Sequence, residues 1–230
     1  MQAATYTIAV LGGTGAQGGG LALRWAKAGH RVIIGSRSRE SAVQGASQLS
    51  TLLGDRHIEG ATNEEAAALA DIVVLTVPYA AQAATALPLR AHLASKILVD
   101  ATVPLVPPKV GRVQLPGAGS AVAALQEQLG ENVKVVSAFQ NVSAHHLKAL
   151  DTEVDCDVLV CGDDPESRNV VIGLIQSIGM RGISAGPICN SAASEALTSL
   201  LISINKAYKS PGAGIRITGL PSGNGLGGRP

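Results

Sequence analysis

Residues 12–20 read GGTGAQGGG, six glycines in nine positions, at the junction of two segments of opposite character. Upstream, TYTIAVL (5–11) has the continuous apolar pattern of a buried strand. Downstream, the residues from about Gly15 to Ala28 read as a helix that stops at Gly29. A slack linker does not explain glycines in this position. The spacing Gly13-x-Gly15-x-x-Gly18, between a strand and a helix, is that of a dinucleotide cradle. The first glycine permits the tight turn, the second lets backbone N–H groups approach a pyrophosphate, and the third lets the helix press against the sheet. The helix N-terminus adds positive potential. Gly19 and Gly20 go beyond that motif, and each costs about 1 kcal/mol in a helix relative to alanine. They are expected to lie hard against a cofactor or a neighbouring strand.

The rest of the chain continues the alternation that the loop begins. Strands are expected at 31–36, 57–60, 71–77, 96–102, 133–139, 157–162 and 182–185. Helices are expected at 40–53, 63–70, across AAQAATALPLRAHL after Pro78, and at 120–129, 165–178 and 191–208, with an irregular proline-rich segment at 103–119. Nearly continuous apolar strands separated by helices indicate a parallel sheet covered on both faces. With right-handed crossovers this is an α/β fold: a Rossmann-type doubly wound, mainly parallel sheet with a small C-terminal α/β extension. The expected division is 1–140 for the dinucleotide-binding domain, 141–220 for a small C-terminal part, and 221–230 for a disordered tail. Near the end, IRIT (215–218) reads as a short strand flanked by glycines.

The end of the second strand bears on which dinucleotide is bound. NAD binders usually carry an acid there for the ribose 2′-hydroxyl. This chain has Gly35-Ser36-Arg37-Ser38-Arg39 instead, and its first acid, Glu40, lies within the next helix. Arg37 can pair bidentately with a 2′-phosphate and Ser36 can donate to it, which favours NADP. The alternative is that Ser38 caps the next helix and both arginines are solvated.

Composition narrows the remaining classes. A net charge of +1 gives no broad attraction to nucleic acid or to a membrane surface. No apolar run approaches the roughly 20 residues of a membrane span, and no signal peptide is apparent. Three cysteines, Cys156, Cys161 and Cys189, match no zinc spacing and suit a reducing cytoplasm. His145-His146 and Asp163-Asp164-Pro165-Glu166 read as helix starts, so no metal site is expected. The chain also lacks an obvious catalytic acid or base. That suits a reaction in which the partner is itself a hydride carrier, because transfer between two rings needs mainly stacking and orientation.

Longer stretches carry a more specific signal. VLGGTGAQGGGLALRWAKAGHRVIIGSR, LTVP, VVSAFQNVSA, LVCGDDPESRNVV, AGPICNSAASEALTSLLISIN and GAGIRIT resemble the NADPH-dependent reductases of coenzyme F-420, a deazaflavin. The resemblance spans about residues 5–219. It implies hydride transfer between NADP(H) and coenzyme F-420 as co-substrate, with Thr14, Gly15, Ala16 and Gln17 on the pyrophosphate and Ser36 and Arg37 on the 2′-phosphate. Val77, Pro78, Val103 and Ala144 would flank the nicotinamide. The deazaflavin would lie over it, against 138–144 with Gln140 and against GAGIRIT with Ile215. Lys206, Lys209 and Arg216 would meet the anionic tail of the deazaflavin.

Relatives differ at two of these places. Some have histidine at the position of Gln140, and a lysine in the helix after GSR is replaced here by Ser41, with Arg39 as substitute. The resemblance also implies a homodimer or higher homo-oligomer involving helix 191–208, which otherwise buries Leu197, Leu200, Leu201 and Ile204 in the core. Two other readings stand beside it: an NADPH-dependent reductase of a flavin, an imine or a ferric chelate, and a non-catalytic redox sensor that binds NADP(H).

Overall fold

A computed structural model describes residues 4–54 and 56–220. The first half alternates strand and helix: β1 (Thr7–Leu11), α1 (Ala16–Ala28), β2 (Arg31–Ser36), α2 (Arg39–Ser50), β3 (Ile58–Thr62), α3 (Asn63–Leu69) and β4 (Ile72–Leu75). There follow α4 (Gln82–Ala86), α5 (Arg90–Leu93), β5 (Ile97–Asp100), α6 (Ala121–Leu129), β6 (Lys134–Ser137) and α7 (Ala144–Leu147). The chain then forms β7 (Asp157–Val160), α8 (Pro165–Ser177), β8 (Arg181–Ser184) and α9 (Ser191–Tyr208).

The first six strands make one parallel sheet in the order β3-β2-β1-β4-β5-β6. The strand order reverses between β1 and β4, so a crevice opens where those strands end. Both faces of the sheet are apolar. Ile8 and Val10 of β1 join one buried cluster with Leu21, Trp25, Val136 and Val158, while Ala9 and Leu11 join another with Val73, Leu98 and Leu125. Alternate residues of one strand thus serve two cores, which is why the strand reads as an unbroken apolar run.

Strands β7 and β8 form a separate parallel pair joined by α8. An antiparallel bridge between Ser137 and Cys161 links this pair to β6, and Trp25 Nε1 donates to Leu174 O at 3.2 Å. Local chemistry sets the helix ends. Ser38 caps α2, Thr62 and Glu65 form a capping box on α3, and Asp164 with Pro165 starts α8. Gly29 closes α1 with a φ of 101°.

The outer edge of β6 is closed by a side chain. Lys134 N–H and Ala138 N–H turn inward to β5, leaving Val135 N–H and Ser137 N–H facing out. Gln126 Oε1 accepts from Val135 N–H at 2.9 Å, and its Nε2 donates to Val133 O at 3.0 Å. Cys161 O accepts from Ser137 N–H at 2.8 Å.

Three expectations need correction. The single helix expected across AAQAATALPLRAHL is broken into α4, α5 and two short 3₁₀ turns, because Pro88 lacks the N–H that a continuous helix requires. The expected strand at IRIT is not formed. Ile215 O accepts one backbone bond from Asp157 N–H, but Ile217 N–H donates to the Asp157 carboxylate at 2.6 Å instead of continuing a ladder. On α9 only Leu201 of the expected buried residues is in the core; Leu200 is 51% exposed and Ile204 42%. The tail expected to be disordered, 221–230, lies outside the described residues.

Candidate functional site

The glycine loop joins the end of β1 to α1, and its glycines answer to different constraints. Gly12, one residue before the spaced motif, adopts φ 84° and makes the turn that was assigned to Gly13. Gly13 is required for space, since a Cβ there would fall 2.9 Å from Ile34 Cγ1 and 3.0 Å from Val10 O. A Cβ on Gly18 would overlap the Thr76 hydroxyl and lie 2.8 Å from Gly12 O, so α1 does press on the sheet as expected. Gly20 meets neither strand nor cofactor position: its Cβ would come 2.5 Å from Leu147 Cβ, on α7. The neighbouring Gly19 would meet Gly13 O at 3.1 Å, within the loop itself.

Helix α1 begins without a side-chain cap and without an acid in its first turn. Thr14, Gly15 and Ala16 are exposed and Gln17 is half-buried, its Nε2 donating to Phe139 O at 2.9 Å. The first N–H groups of a helix have no intrahelical partner, and here nothing in the side chains competes for them. Together with the helix dipole they form an acceptor for an anion.

Alongside, β2 ends at Ser36, whose Oγ accepts from Ser38 N–H. Ser38 does cap α2, accepting from Ser41 N–H at 3.3 Å. The two arginines are unlike each other. Arg39 pairs with Glu65, whereas Arg37 is exposed and has no ion-pair or hydrogen-bond partner among the described residues. The free guanidinium therefore lies in the turn that follows β2, next to the loop that follows β1.

Further across the sheet, the remaining expected residues follow the ends of β4, β5 and β6. Val77 is half-buried and Pro78 exposed; Val77 Cγ1 would lie 3.0 Å from a Cβ on Gly12. Val103 is half-buried after β5, Gln140 buried after β6, and Ala144 opens α7. Between them stands a residue that the sequence analysis missed, Asp100. It is fully buried, receives Gln82 Nε2 at 2.6 Å and Thr102 N–H at 2.8 Å, and offers its backbone oxygen to Gln140 Nε2 at 2.7 Å. Burial pushes its carboxyl up to about 6, against the pull of those donors and with buried Glu195 adding repulsion. The one available signal was an acid ending the apolar strand ILVD.

This edge also holds the unsatisfied polar groups. Asn63 Oδ1, Thr102 Oγ1, Ser137 Oγ and Gln140 Oε1 are buried without a hydrogen-bond partner among the described residues. They belong to residues at or just after the ends of β3, β5 and β6. Phe139, between two of them, is fully buried with φ 72°, a conformation that bulky side chains rarely adopt and that marks stored strain.

Ile215 lies apart from this row, beside β7, and reaches it through Gly212, whose oxygen accepts from His146 Nε2 at 2.7 Å. Arg216 is not available to a tail: it pairs with Asp155 at 2.7 Å and with Asp157 at 3.5 Å. Burial pushes the Asp157 carboxyl up, but the two bonds from Arg181 and the Ile217 N–H outweigh it and hold it below the usual carboxylate range. Lys206 and Lys209 are exposed and unpaired among the described residues.

Comparison with known proteins gives one consistent result. Residues 7–104 match the sequence profile of the family described as NADP oxidoreductase, coenzyme F420-dependent. The F420-dependent NADP reductase of Methanocaldococcus jannaschii is 47% identical over 93% of this chain and 98% of its own length. That of Methanothermobacter thermautotrophicus is 43% identical over 93% of this chain and 95% of its own. A crystal structure of a candidate F420-dependent NADP-reductase from Arthrobacter sp. FB24 superposes with a TM-score of 0.78 at 28% identity, covering 93% of this chain and 99% of that one. A glycine cradle without acids, arginines in place of an acid after β2 and a matching sequence over nearly the full length converge: the chain belongs to the family of F420-dependent NADP reductases.

Proposed function

We propose that this chain transfers a hydride between NADP(H) and coenzyme F-420. The observation that carries the reading is the uncapped, acid-free N-terminus of α1 beside Arg37, which has no partner among the described residues. Those groups fit a dinucleotide carrying a 2′-phosphate. Its pyrophosphate meets the loop from Thr14 to Gly18, where the Gly15 N–H is already spent on Gly12 O and the neighbouring N–H groups remain to donate, and Ser36 and Arg37 hold the extra phosphate. Arg39, already paired with Glu65, contributes less. Val77, Pro78, Val103 and Ala144 line the ring end.

With both bound, the nicotinamide and the deazaflavin ring would supply the two hydride carriers, with transfer possible either way. The protein's residues would orient the two rings and exclude water, with Gln140 and the 212–215 segment bounding the acceptor side. Residues 1–140 bind NADP in this reading, and 141–220 complete the acceptor site. Mixing the protein with NADPH and oxidised F-420 and following the deazaflavin absorbance tests it. Loss of absorbance at catalytic protein levels supports the reading. NADPH binding without turnover of F-420 favours a sensor, and turnover of a flavin or imine alone favours another acceptor.

The same reading extends to assembly. The exposed stripe of Leu200, Ile204 and Tyr208 on α9, with Val106, Val113 and Leu115 of the segment between β5 and α6 also exposed, is the proposed homodimer face. Light scattering of wild type and Ile204→Asp checks it; a wild-type monomer sinks it. No helix of the described residues is long and apolar enough to cross a membrane. The cytoplasm is the proposed compartment, supported by three cysteines that are all free.

A further inference from the structure

One stripe of α1 is devoted to a single distant segment. Gln17, Gly20, Arg24 and Lys27 recur at intervals of three and four, so they share a helix face. Gln17 binds Phe139 O, Gly20 touches Leu147, and Lys27 binds Leu150 O and Asp151. At the centre is Arg24, almost fully buried and without an acid partner among the described residues. Its Nε donates to Leu147 O at 2.9 Å, and its Nη2 lies 2.9 Å from His146 O, 2.8 Å from Ala149 O and 3.1 Å from Thr152 O.

A buried guanidinium that meets only carbonyls is an unusual construction. Burial pulls its pKa down, yet arginine keeps its charge in proteins, so the carbonyls must replace its water. A leucine or methionine would fill the same volume without that desolvation. The carbonyls come from the C-terminal end of α7 and the turns after it. Helix α7 has only four residues and cannot hold its shape alone. Arg24 therefore fixes the backbone of α7 from the helix that carries the phosphate cradle.

The effect passes onward from α7. Ala144 and Ser143 stand at its start, and His146 Nε2 donates to Gly212 O. A Cβ on Gly212 would fall 2.6 Å from Ser143 Oγ, so the 212–215 segment rests directly on α7. We propose that Arg24 is a positioning residue, which sets the acceptor side of the site from the pyrophosphate helix by gripping the 146–152 carbonyls. This rests on the functional reading above. It adds that the two halves of the site are placed by one side chain touching neither ring.

The test uses the full-length protein with Arg24→Met and Arg24→Lys. Arg24→Met is expected to lower kcat/KM for F-420 about a hundredfold, the scale of a displacement near 1 Å, while NADPH affinity by fluorescence stays within about threefold. Amide exchange should accelerate in 143–152 and 212–215, and Arg24→Lys should restore part of both signals. If Arg24→Met does not fold, Gly20→Ala keeps every donor and pushes on Leu147, and the same split is expected. Unchanged kcat/KM for F-420, or equal losses for NADPH binding and turnover, overturns the proposal. Should the wild type fail to turn over F-420, the functional reading falls alone; the exchange measurement still decides whether Arg24 holds these segments, and unchanged exchange rejects it.

Discussion

Where β1 and β2 begin, polar groups close on one another. Tyr6 N–H donates to His30 Nδ1, His30 Nε2 reaches Ser177 Oγ at 3.0 Å, and Thr7 N–H donates to Asp71 at 2.8 Å. Where the strands stop, Asn63, Thr102, Ser137 and Gln140 keep buried oxygens without partners, α1 starts uncapped, and Arg37 has no counter-ion among the described residues. One sheet thus has an edge that is finished and an edge that is left open. A buried unpaired oxygen is destabilising by about 1–3 kcal/mol. Such oxygens gather at the end of the sheet where α/β folds commonly bind ligands.

The contrast is most sharply tested at the open edge. Arg37→Ala should weaken NADPH about tenfold to a hundredfold, the loss of a charge-assisted pair, and leave NADH nearly unchanged. Titration of both nucleotides checks this, and equal losses would remove the 2′-phosphate from that position. At the finished edge, His30→Ala should lower stability by about 1–3 kcal/mol in a urea melt with NADPH affinity intact. A loss of affinity there would break the comparison.

Acid and base should separate the edges as well. Burial lowers the pKa of His30, so the unfolded state takes up its proton first, and this contribution to stability is lost as pH falls below about 6.5. Asp100 has the opposite sign. It stays protonated up to about 6 in the folded chain, while the unfolded chain releases that proton near 4. The native state then binds more protons between those values, and stability declines as pH rises through them. Asp100→Asn should gain on the wild type over that interval and keep a constant difference above it; urea midpoints at several pH values measure this. Glu195, buried and also pushed upward, retains a weaker slope in the variant. The smallest effect belongs to the exposed Arg31–Glu59 pair at 2.7 Å, where Glu59→Gln should change neither melt nor affinity measurably.

Much of the open edge was legible because its chemistry is local. The spaced glycines, the arginine after β2, and the caps Ser38 and Asp164 each act within a few residues, so their meaning survives in the linear order. What stayed hidden depends on partners far away in the chain. Gly20 was expected against a cofactor or a neighbouring strand, and it is Leu147 of α7 that occupies its surface. Arg24 reads as an ordinary helix residue, since nothing in GLALRWAKA reveals four carbonyls from 146–152. The stripe on α9 illustrates a different limit: an apolar helix face looks the same whether it meets a core or another surface. IRIT shows how a strand-like sequence loses its ladder when a buried carboxylate, Asp157, takes the N–H first.

The amide of Gln126, reaching from α6 to the outer border of β6, has a consequence for how copies of the chain meet. With Val135 N–H and Val133 O both occupied, that strand offers a crowded solution little backbone onto which a foreign strand can be grafted. Gln126→Ala would unmask that border, and the change would appear first as slow growth of fibrillar or amorphous material at high concentration, before any change in turnover.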